Sequence, residues 1–447
     1  MQEWPADFID RIGNFPGTDL PAFLEGLSSL SPVSLRLNPF KQIKKFDKEK
    51  KVEWCDAGRY LPERPSFTFD PLFHAGTYYV QEASSMFLDS AFGQCFPHSD
   101  PLRVLDLCAA PGGKSTHLIS LLPAGSILVS NELIPQRNKV LRQNLVQWGD
   151  PNVIITQNET KDFIPLKGYF DLVVVDAPCS GEGLFRRDPK AAKEWSVDAV
   201  NNCSIRQSKI LKDAFELLRP GGVLIYSTCT FEESENEKQV EVLISRDSAE
   251  LISLTALNSG LVKTEYGIRF YPHRISGEGF FISALRRTEG SEFEYKRSKP
   301  SGSPVIHQKL LESYLVDAES FAAIQKQEVI YAIPQHIIPL FHFMEKKFYI
   351  RQAGIRMGEL KGSFLPAYEL ALSRNLRKDL PKHNFSLEDA IRYLRCDTVQ
   401  CPGLEKGWTL ATFENFPLGW MKVLDGRVNN YFPKEFRIIK DYNPDFI

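Results

Sequence analysis

The stretch RVLDLCAAPGGKSTHL, residues 103–118, decides how the rest of the chain is read. It joins an apolar strand, a turn built on Pro111-Gly112-Gly113 and the start of a helix. In open α/β sheets that junction, at the carboxyl end of a strand, is where ligands bind. The glycines allow close backbone approach, and the new helix offers unpaired N–H groups. The letters exclude two familiar loops. A dinucleotide fingerprint needs G-x-G-x-x-G, which CAAPGGK (108–114) lacks. A P-loop needs G-x-x-x-x-G-K-S; Gly113-Lys114-Ser115 matches its end, but its first glycine would fall on Cys108.

Outward from this loop the pattern repeats. ILVSN (127–131) reads as a second strand and PQRNKVLRQNLVQWG (135–149) as a helix stopped by glycine. VIIT (153–156) and FDLVVVDAP (170–178) read as the third and fourth strands. SIRQSKILKDAFELLRPGG (204–222) reads as a long helix that feeds the strand VLIYSTC (223–229). β-branched and leucine strands alternating with helices predict a doubly wound, Rossmann-like α/β sheet. GIRFYPHRISGEGFFISALRR (267–287) reads as a hairpin turning at Ser276–Gly279.

Upstream, residues 1–75 read as a small α+β region, with a short helix in PAFLEGLSSL and a strand in SPVSLRLNP; QEASSMFLDSAF (81–92) has helical spacing. Residues 288–304 (TEGSEFEYKRSKPSGSP) have linker composition. The expected domains are therefore 1–75, 76–287, a linker at 288–304, an α+β region at 305–390 and a β-barrel-like end at 391–447. Within the last two, VIHQKLLESYLVDAESFAAIQ (305–325) is expected to be helical, KKFYIRQAGIRMGELKGSFLPAYELALS a strand pair followed by a helix, and the glycine-, proline- and aromatic-rich tail a set of short strands.

Composition bounds the function. The chain has 447 residues, 43% hydrophobic and 25% charged, and no apolar run long enough to cross a bilayer. The N-terminus lacks a basic start with an apolar stretch behind it, so no signal peptide is expected. The eight cysteines are too dilute for a disulfide scaffold and suit a reducing cytoplasm. Net charge is −2, giving no global support for nucleic-acid binding. Locally, residues 36–51 hold seven basic residues against two acids, and residues 346–382 nine against three.

An acid about 20 residues past the glycines, at the tip of the second strand, is placed to hydrogen-bond a ribose. Glu132 stands there. A nucleoside cofactor without a pyrophosphate fits such a loop, which points to S-adenosylmethionine. Asp176, Pro178 and Cys179 end one strand and Cys229 ends another; if the two strands are neighbours, both thiols share the rim with the glycine loop. Two thiols and an acid suit methylation at carbon 5 of a pyrimidine. That carbon is too weak a nucleophile until a thiolate adds to C6. A group near N3, for which a protonated carboxyl would serve, must also stabilise charge in the ring. Methylation of an exocyclic amine would want Asp/Asn-Pro-Pro-Tyr/Phe where Asp-Ala-Pro-Cys stands, and would leave Cys229 idle.

The motifs DLCAAPGGK, DAPCSGEGLFRRDP and YSTCTFEESENE, in this order, resemble the Nop/Sun family of RNA (cytosine-5)-methyltransferases. The likeness extends through SLRLNP, AGTYYVQEASSM and RFYPHRISGEGFFISALRR, and weakly through GEL, FPLGW and NNYFPKEFR. It is closest to the bacterial 16S rRNA branch, whose tail includes a PUA-like RNA-binding module. The resemblance implies that Cys229 attacks C6, that Cys179 assists product release, and that Asp176 faces the N3 edge near the methyl end of the cofactor. It implies that Cys108, Ala109, Ala110, Pro111, Gly112, Gly113 and Lys114 line the cofactor, that Glu132 binds its ribose and that Arg137 lies near it. Glu159 falls where the family has Asp beside the adenine, with Asn158 as the alternative; Lys114 is open to a substrate contact too.

The partner implied is small-subunit rRNA or the 30S particle, met by a monomer, with no membrane and no metal. Arg186, Arg187, Lys190 and Lys193 are candidate phosphate contacts. Trp408, Phe416, Trp420, Tyr431, Phe432, Lys434 and Arg437 either hold RNA or, for Trp408 and Trp420 above all, form the module's core. Cys396 and Cys401 have no second ligand pair, so zinc is not expected. The competing readings are a non-catalytic RNA-binding assembly factor, a tRNA cytosine-5 methyltransferase and a DNA cytosine methyltransferase. The last would carry its nucleophile in a Pro-Cys after the fourth strand.

Overall fold

The computed structural model describes residues 4–293 and 307–440 apart from residues 99 and 247. Most of the expected linker, residues 294–304, and the tail from 441 lie outside the described residues. The centre is a ten-stranded sheet. Its parallel part runs Leu218–Thr228, Phe170–Asp176, Arg103–Asp106, Ile127–Asn131, Val153–Thr156. Strand order reverses at Arg103–Asp106, which has the second strand on one side and the fourth on the other, so the crevice of such a sheet opens above the glycine loop.

The strands are apolar throughout because both faces are covered. Val104, Leu128, Leu172, Val174 and Ile225 enter one core, with the helices Leu88–Cys95, Gly113–Leu121 and Pro135–Trp148. Leu105, Val129, Ile154, Val173 and Leu224 enter the other, under the helix Val197–Leu217. That helix is capped by Ser196, whose hydroxyl accepts from the Ala199 N–H at 3.1 Å. The helix Pro135–Trp148 begins on proline and ends at Gly149 with φ +90°.

Phe280–Arg287 closes the sheet antiparallel to Leu218–Thr228 and pairs also with Ile268–Phe270. The connection is a long loop from Tyr271 to Gly279 rather than a tight turn at Ser276–Gly279. The expected helix at 81–92 forms as two pieces, the 3₁₀ turn Ser84–Phe87 and the helix Leu88–Cys95.

Three boundaries shift because pairing, not composition, sets them. Tyr78–Val80 pairs with Val33–Leu37, so the N-terminal sheet runs past residue 75. Lys382–Asn384 lies parallel to Gly407–Phe413, and the helix Leu387–Leu394 packs on the same sheet, so a division at 391 would cut a helix. Ile350–Ala353, expected to pair locally, joins the central sheet against Val153–Thr156. The expected helix at 305–325, described from residue 307, forms as the α-helix Gln308–Tyr314 and the 3₁₀ turn Ala318–Ser320; Phe321–Lys326 buries alternate residues and pairs with Val329–Pro334 as a strand.

The N-terminal sheet is tied to the centre by buried cations. Arg36 lies 4.5 Å over Trp148 and donates to Gln81 Oε1 at 2.8 Å and Thr116 Oγ1 at 2.6 Å. Lys41 donates to the carbonyls of Ala75 and Gln147, at 2.8 and 2.6 Å. Two members of the basic run at 36–51 therefore point inward. All eight cysteines are free. Among the described residues, ligand-type atoms gather at Cys55, Asp89 and His117, all within 4.8 Å of one another, where the N-terminal sheet meets two helices.

Candidate active site

The glycine loop takes its shape from the helix beside it. Gly112 has φ +113°, and a Cβ there would lie 3.3 Å from Leu141 and 3.4 Å from Asn144. Asn144 donates to the Pro111 carbonyl at 2.8 Å, and Arg137 donates to that of Ala110 at 2.9 Å. Arg137 also stands 3.5 Å from Glu132, whose other oxygen accepts from the Ile134 N–H at 2.9 Å.

A crevice of about 380 Å³ opens here, lined by Leu107, Cys108, Glu132, Arg137, Glu159 and Pro178 among others. Leu133 and Ile134, half-exposed, form part of its wall. An acid able to accept from a diol, next to apolar surface on which a purine can lie, fits the nucleoside of S-adenosylmethionine. Glu159 lines this crevice and pairs with Lys161 at 2.6 Å. The Asn158 side chain accepts from the Tyr349 N–H at 3.1 Å, so it holds the C-terminal segment.

A second cleft, about 340 Å³, lies on the other side of Cys108. Asp176, Cys229, Lys114 and Ala109–Pro111 of the loop line it. Its far wall is Tyr79–Glu82, Ser85 and Glu278–Phe280. The strands ending in Asp176 and Thr228 are parallel neighbours, with Asp176 level with Ser227. Cys179 Sγ and Cys229 Sγ are 3.2 Å apart. The adjacent Cys229 sulfur and, after it, burial push the Cys179 thiol well up, keeping it protonated. Asp176 is held at both oxygens, by Lys114 Nζ at 2.8 Å and by the Ser227 hydroxyl at 2.8 Å. It is thus ion-paired with Lys114. Lys114 lies 5.0 Å over Phe280.

Behind the cysteines, acids brace the two loops reciprocally. Glu182 accepts from Trp195 Nε1, the Thr230 hydroxyl and the Phe231 N–H, each at 2.9 Å. Glu235 accepts from the Ser180 N–H at 3.0 Å and from Gln207 at 2.8 Å. Glu232 takes Arg11 of the N-terminal helix in a two-point contact. Burial, reinforced by Glu232, pushes Glu182 up to about 8. These acids, like the wall formed by Tyr79–Glu82 and Glu278–Phe280, escaped the sequence reading. Their positions follow no periodicity, and only the motifs containing them were a signal.

Of the candidate RNA contacts, Arg186 is engaged internally. It donates to Ser29 Oγ at 2.6 Å, the Leu30 carbonyl at 2.7 Å and the Gly277 carbonyl at 3.2 Å. Arg187, Lys190 and Lys193 are exposed, and Arg187 lines the second cleft. In the C-terminal module Trp420 and Phe432 are buried; Trp408 is half-buried and donates to the Phe364 carbonyl at 3.2 Å. Phe416 packs inward at half-burial, while Tyr431, Lys434 and Arg437 are exposed. Among the described residues no helix is long and apolar enough to cross a membrane.

Comparison with known proteins agrees with this architecture. Residues 96–286 match the family described as 16S rRNA methyltransferase RsmB/F. Residues 4–83 match the N-terminal domain of 16S rRNA methyltransferase RsmF, and residues 381–438 the methyltransferase RsmF PUA domain. Ribosomal RNA small subunit methyltransferase F of Cronobacter sakazakii is 32% identical over 435 residues, covering 92% of this chain and 86% of that protein. Its namesake in Vibrio atlanticus is 28% identical, with 98% of both chains covered. A methyltransferase homologue from Pyrococcus horikoshii, of known structure, superposes with a TM-score of 0.56 at 28% identity, over 64% of this chain and 96% of that one. NSun6 from the same organism shares the fold, with a TM-score of 0.54 at 19% identity, over 65% of this chain and all of that one (100%). With these matches spanning the sheet, the N-terminal unit and the C-terminal module, the chain belongs to the ribosomal RNA small subunit methyltransferase F family, whose methyl donor is S-adenosylmethionine.

Proposed function

We propose that this protein methylates carbon 5 of a cytosine in 16S rRNA through a transient bond between Cys229 and C6 of the base. The observation that carries this reading is Cys229, its sulfur 3.2 Å from that of Cys179, lining a cleft that also holds Asp176 and meets the cofactor crevice at Cys108. S-adenosylmethionine bound beside Glu132 supplies an electrophilic methyl group on a sulfonium centre.

Cys229 adds to C6, and the electron pair displaced from the C5–C6 double bond makes C5 nucleophilic. Negative charge reaching N3 is stabilised by the Lys114 ammonium, which Asp176 holds in place before reaction. The protonated Cys179 thiol beside Cys229 donates toward the sulfur that must carry charge on entering and on leaving. After methyl transfer a base takes the C5 proton, the C5–H electron pair restores the C5–C6 double bond, the Cys229–C6 bond breaks and its electron pair returns to sulfur; Cys179 assists this release. Arg187, Lys190 and Lys193, and the cations of the C-terminal module, meet phosphates.

The test is Cys179→Ala incubated with rRNA and S-adenosylmethionine. Addition and methylation proceed while elimination stalls, so a denaturing gel shows a slow-migrating RNA–protein adduct. A gel without that species removes the role of Cys179. Bisulfite sequencing of total RNA with and without the gene identifies the modified RNA and position; a tRNA signal would reassign the substrate.

A further inference from the structure

Three acids line the substrate cleft: Glu82, Asp176 and Glu278. Their hydrogen bonds differ in one respect. Glu82 accepts from the N–H groups of Ser84 and Glu278 at one oxygen, both at 2.8 Å, and of Ser85 at the other, at 2.9 Å. Asp176 has Lys114 on one oxygen and Ser227 on the other. Glu278 takes the Ser31 hydroxyl on Oε1, while Oε2 is buried without a hydrogen-bond partner. The residue is only 4% exposed. A carboxylate oxygen left this way costs free energy unless a donor arrives.

The position of Glu278 is not accidental. Its N–H is bound by Glu82 and its carbonyl accepts from the Ser84 hydroxyl at 3.1 Å, so the turn Glu82–Ser84 clamps the peptide on both sides. The adjoining Gly279 approaches Gly183 so closely that a Cβ would fall 2.8 Å from the Gly183 Cα, and Gly183 donates to the Cys229 carbonyl at 2.8 Å. Glu278 is thereby held against the loop of the reactive sulfur. Arg186, the nearby cation most able to pair with it, spends its donors on Ser29, Leu30 and Gly277. Burial raises the Glu278 carboxyl, while Ser31, Arg186 and Arg187 act in the opposite direction.

We infer that Glu278 is a specificity residue whose Oε2 accepts a hydrogen bond from the exocyclic amine of the target cytosine. The assignment deepens the proposed function and rests on it. A cytosine presents N–H donors at C4 where a uracil presents a carbonyl oxygen. A fixed acceptor therefore attracts the first and repels the second, and the rejection is strong because the oxygen would otherwise stay buried and unpaired. Asp176 and Lys114 then serve the ring nitrogen, and Glu278 reads the substituent.

The experiment is a binding cycle that needs no chemistry. Bisulfite sequencing first locates the methylated position. RNA spanning it is prepared with cytosine or with pyrimidin-2-one, which lacks the amine, at that position. Both are titrated in a Cys229→Ala background, with and without Glu278→Ala or Glu278→Gln. With Glu278 present, loss of the amine weakens binding about tenfold or more. In Glu278→Ala the two RNAs bind alike, and Glu278→Gln, which keeps a carbonyl acceptor, retains part of the preference. S-adenosylmethionine affinity, read on the same samples, stays unchanged in a folded variant. Equal effects of the amine in all three backgrounds overturn the role of Glu278 and leave the cytosine-5 reading standing. Absence of 5-methylcytosine removes that reading and this assignment together.

Discussion

The Cys229 cleft and the C-terminal module use chemically distinctive residues in opposite ways. At the cleft, Cys229, Asp176, Lys114 and Glu278 come from four separate stretches and converge on one opening, with the Cys179 sulfur 3.2 Å from that of Cys229. In the module, the aromatic residues that make the sequence look like an RNA surface are largely spent in packing. Trp420 is 1% exposed and donates to the Ala367 carbonyl at 2.9 Å, and Tyr393 donates to the Trp420 carbonyl at 2.9 Å. Trp408 is braced by Tyr431 at 4.6 Å. A residue type guides a functional reading when its side chain lines an opening rather than a packed core. Cys229 and Glu278 line the cleft, and Trp420 is buried and paired.

The widest contrast comes from Cys229→Ala, expected to lower methyl transfer by roughly 10⁴-fold or more in single-turnover assays, with little change in melting temperature. Near-normal turnover would break the comparison at its strongest point. Trp420→Ala should do the reverse, costing roughly 3–5 kcal/mol of stability in a denaturant melt. Tyr431→Ala, at an exposed ring, should cost well under half of that. If Trp420→Ala instead left stability intact and abolished RNA binding, the module's aromatics would be a surface after all.

A third test concerns Asp106 beneath the glycine loop. It is fully buried, with Oδ1 unpartnered and Oδ2 accepting from Ser115 at 2.6 Å. Burial pushes its carboxyl up to about 7. The unfolded chain loses this proton near pH ~4, so between there and about 7 the native state holds more protons and stability falls as pH rises. Asp106→Asn should remove roughly 2–4 kcal/mol of that decline in melts at pH 5 and pH 8. Unchanged slopes would mean the carboxyl is ionised in the folded state. The smallest effect is expected from Lys434→Ala and Arg437→Ala, which lie exposed on the module. Each should weaken RNA binding a few-fold and lower the salt slope by about 1.

How far the site was legible follows from the same physics. Strand–loop–helix periodicity is local, so the parallel sheet, the glycine loop and Glu132 could be read from neighbouring letters. That Cys179 and Cys229 meet depended on adjacency of two strands separated by a long helix, for which the motifs were the only guide. The basic run at 36–51 misled in part. Arg36 and Lys41 have long apolar stems, and Trp148 and the carbonyls of Ala75 and Gln147 accept their charged ends inside.

From the order of its residues alone, the chain determined a doubly wound sheet, a glycine loop at its switch point and thiols and acids placed at strand ends. Apolar periodicity and glycine placement act over a few residues. The tertiary structure decided which carboxylates are spent, that Ile350–Ala353 joins the central sheet, and that Glu278 Oε2 stays without a hydrogen-bond partner. Those outcomes depend on hydrogen-bond partners brought from distant parts of the chain, which only packing selects.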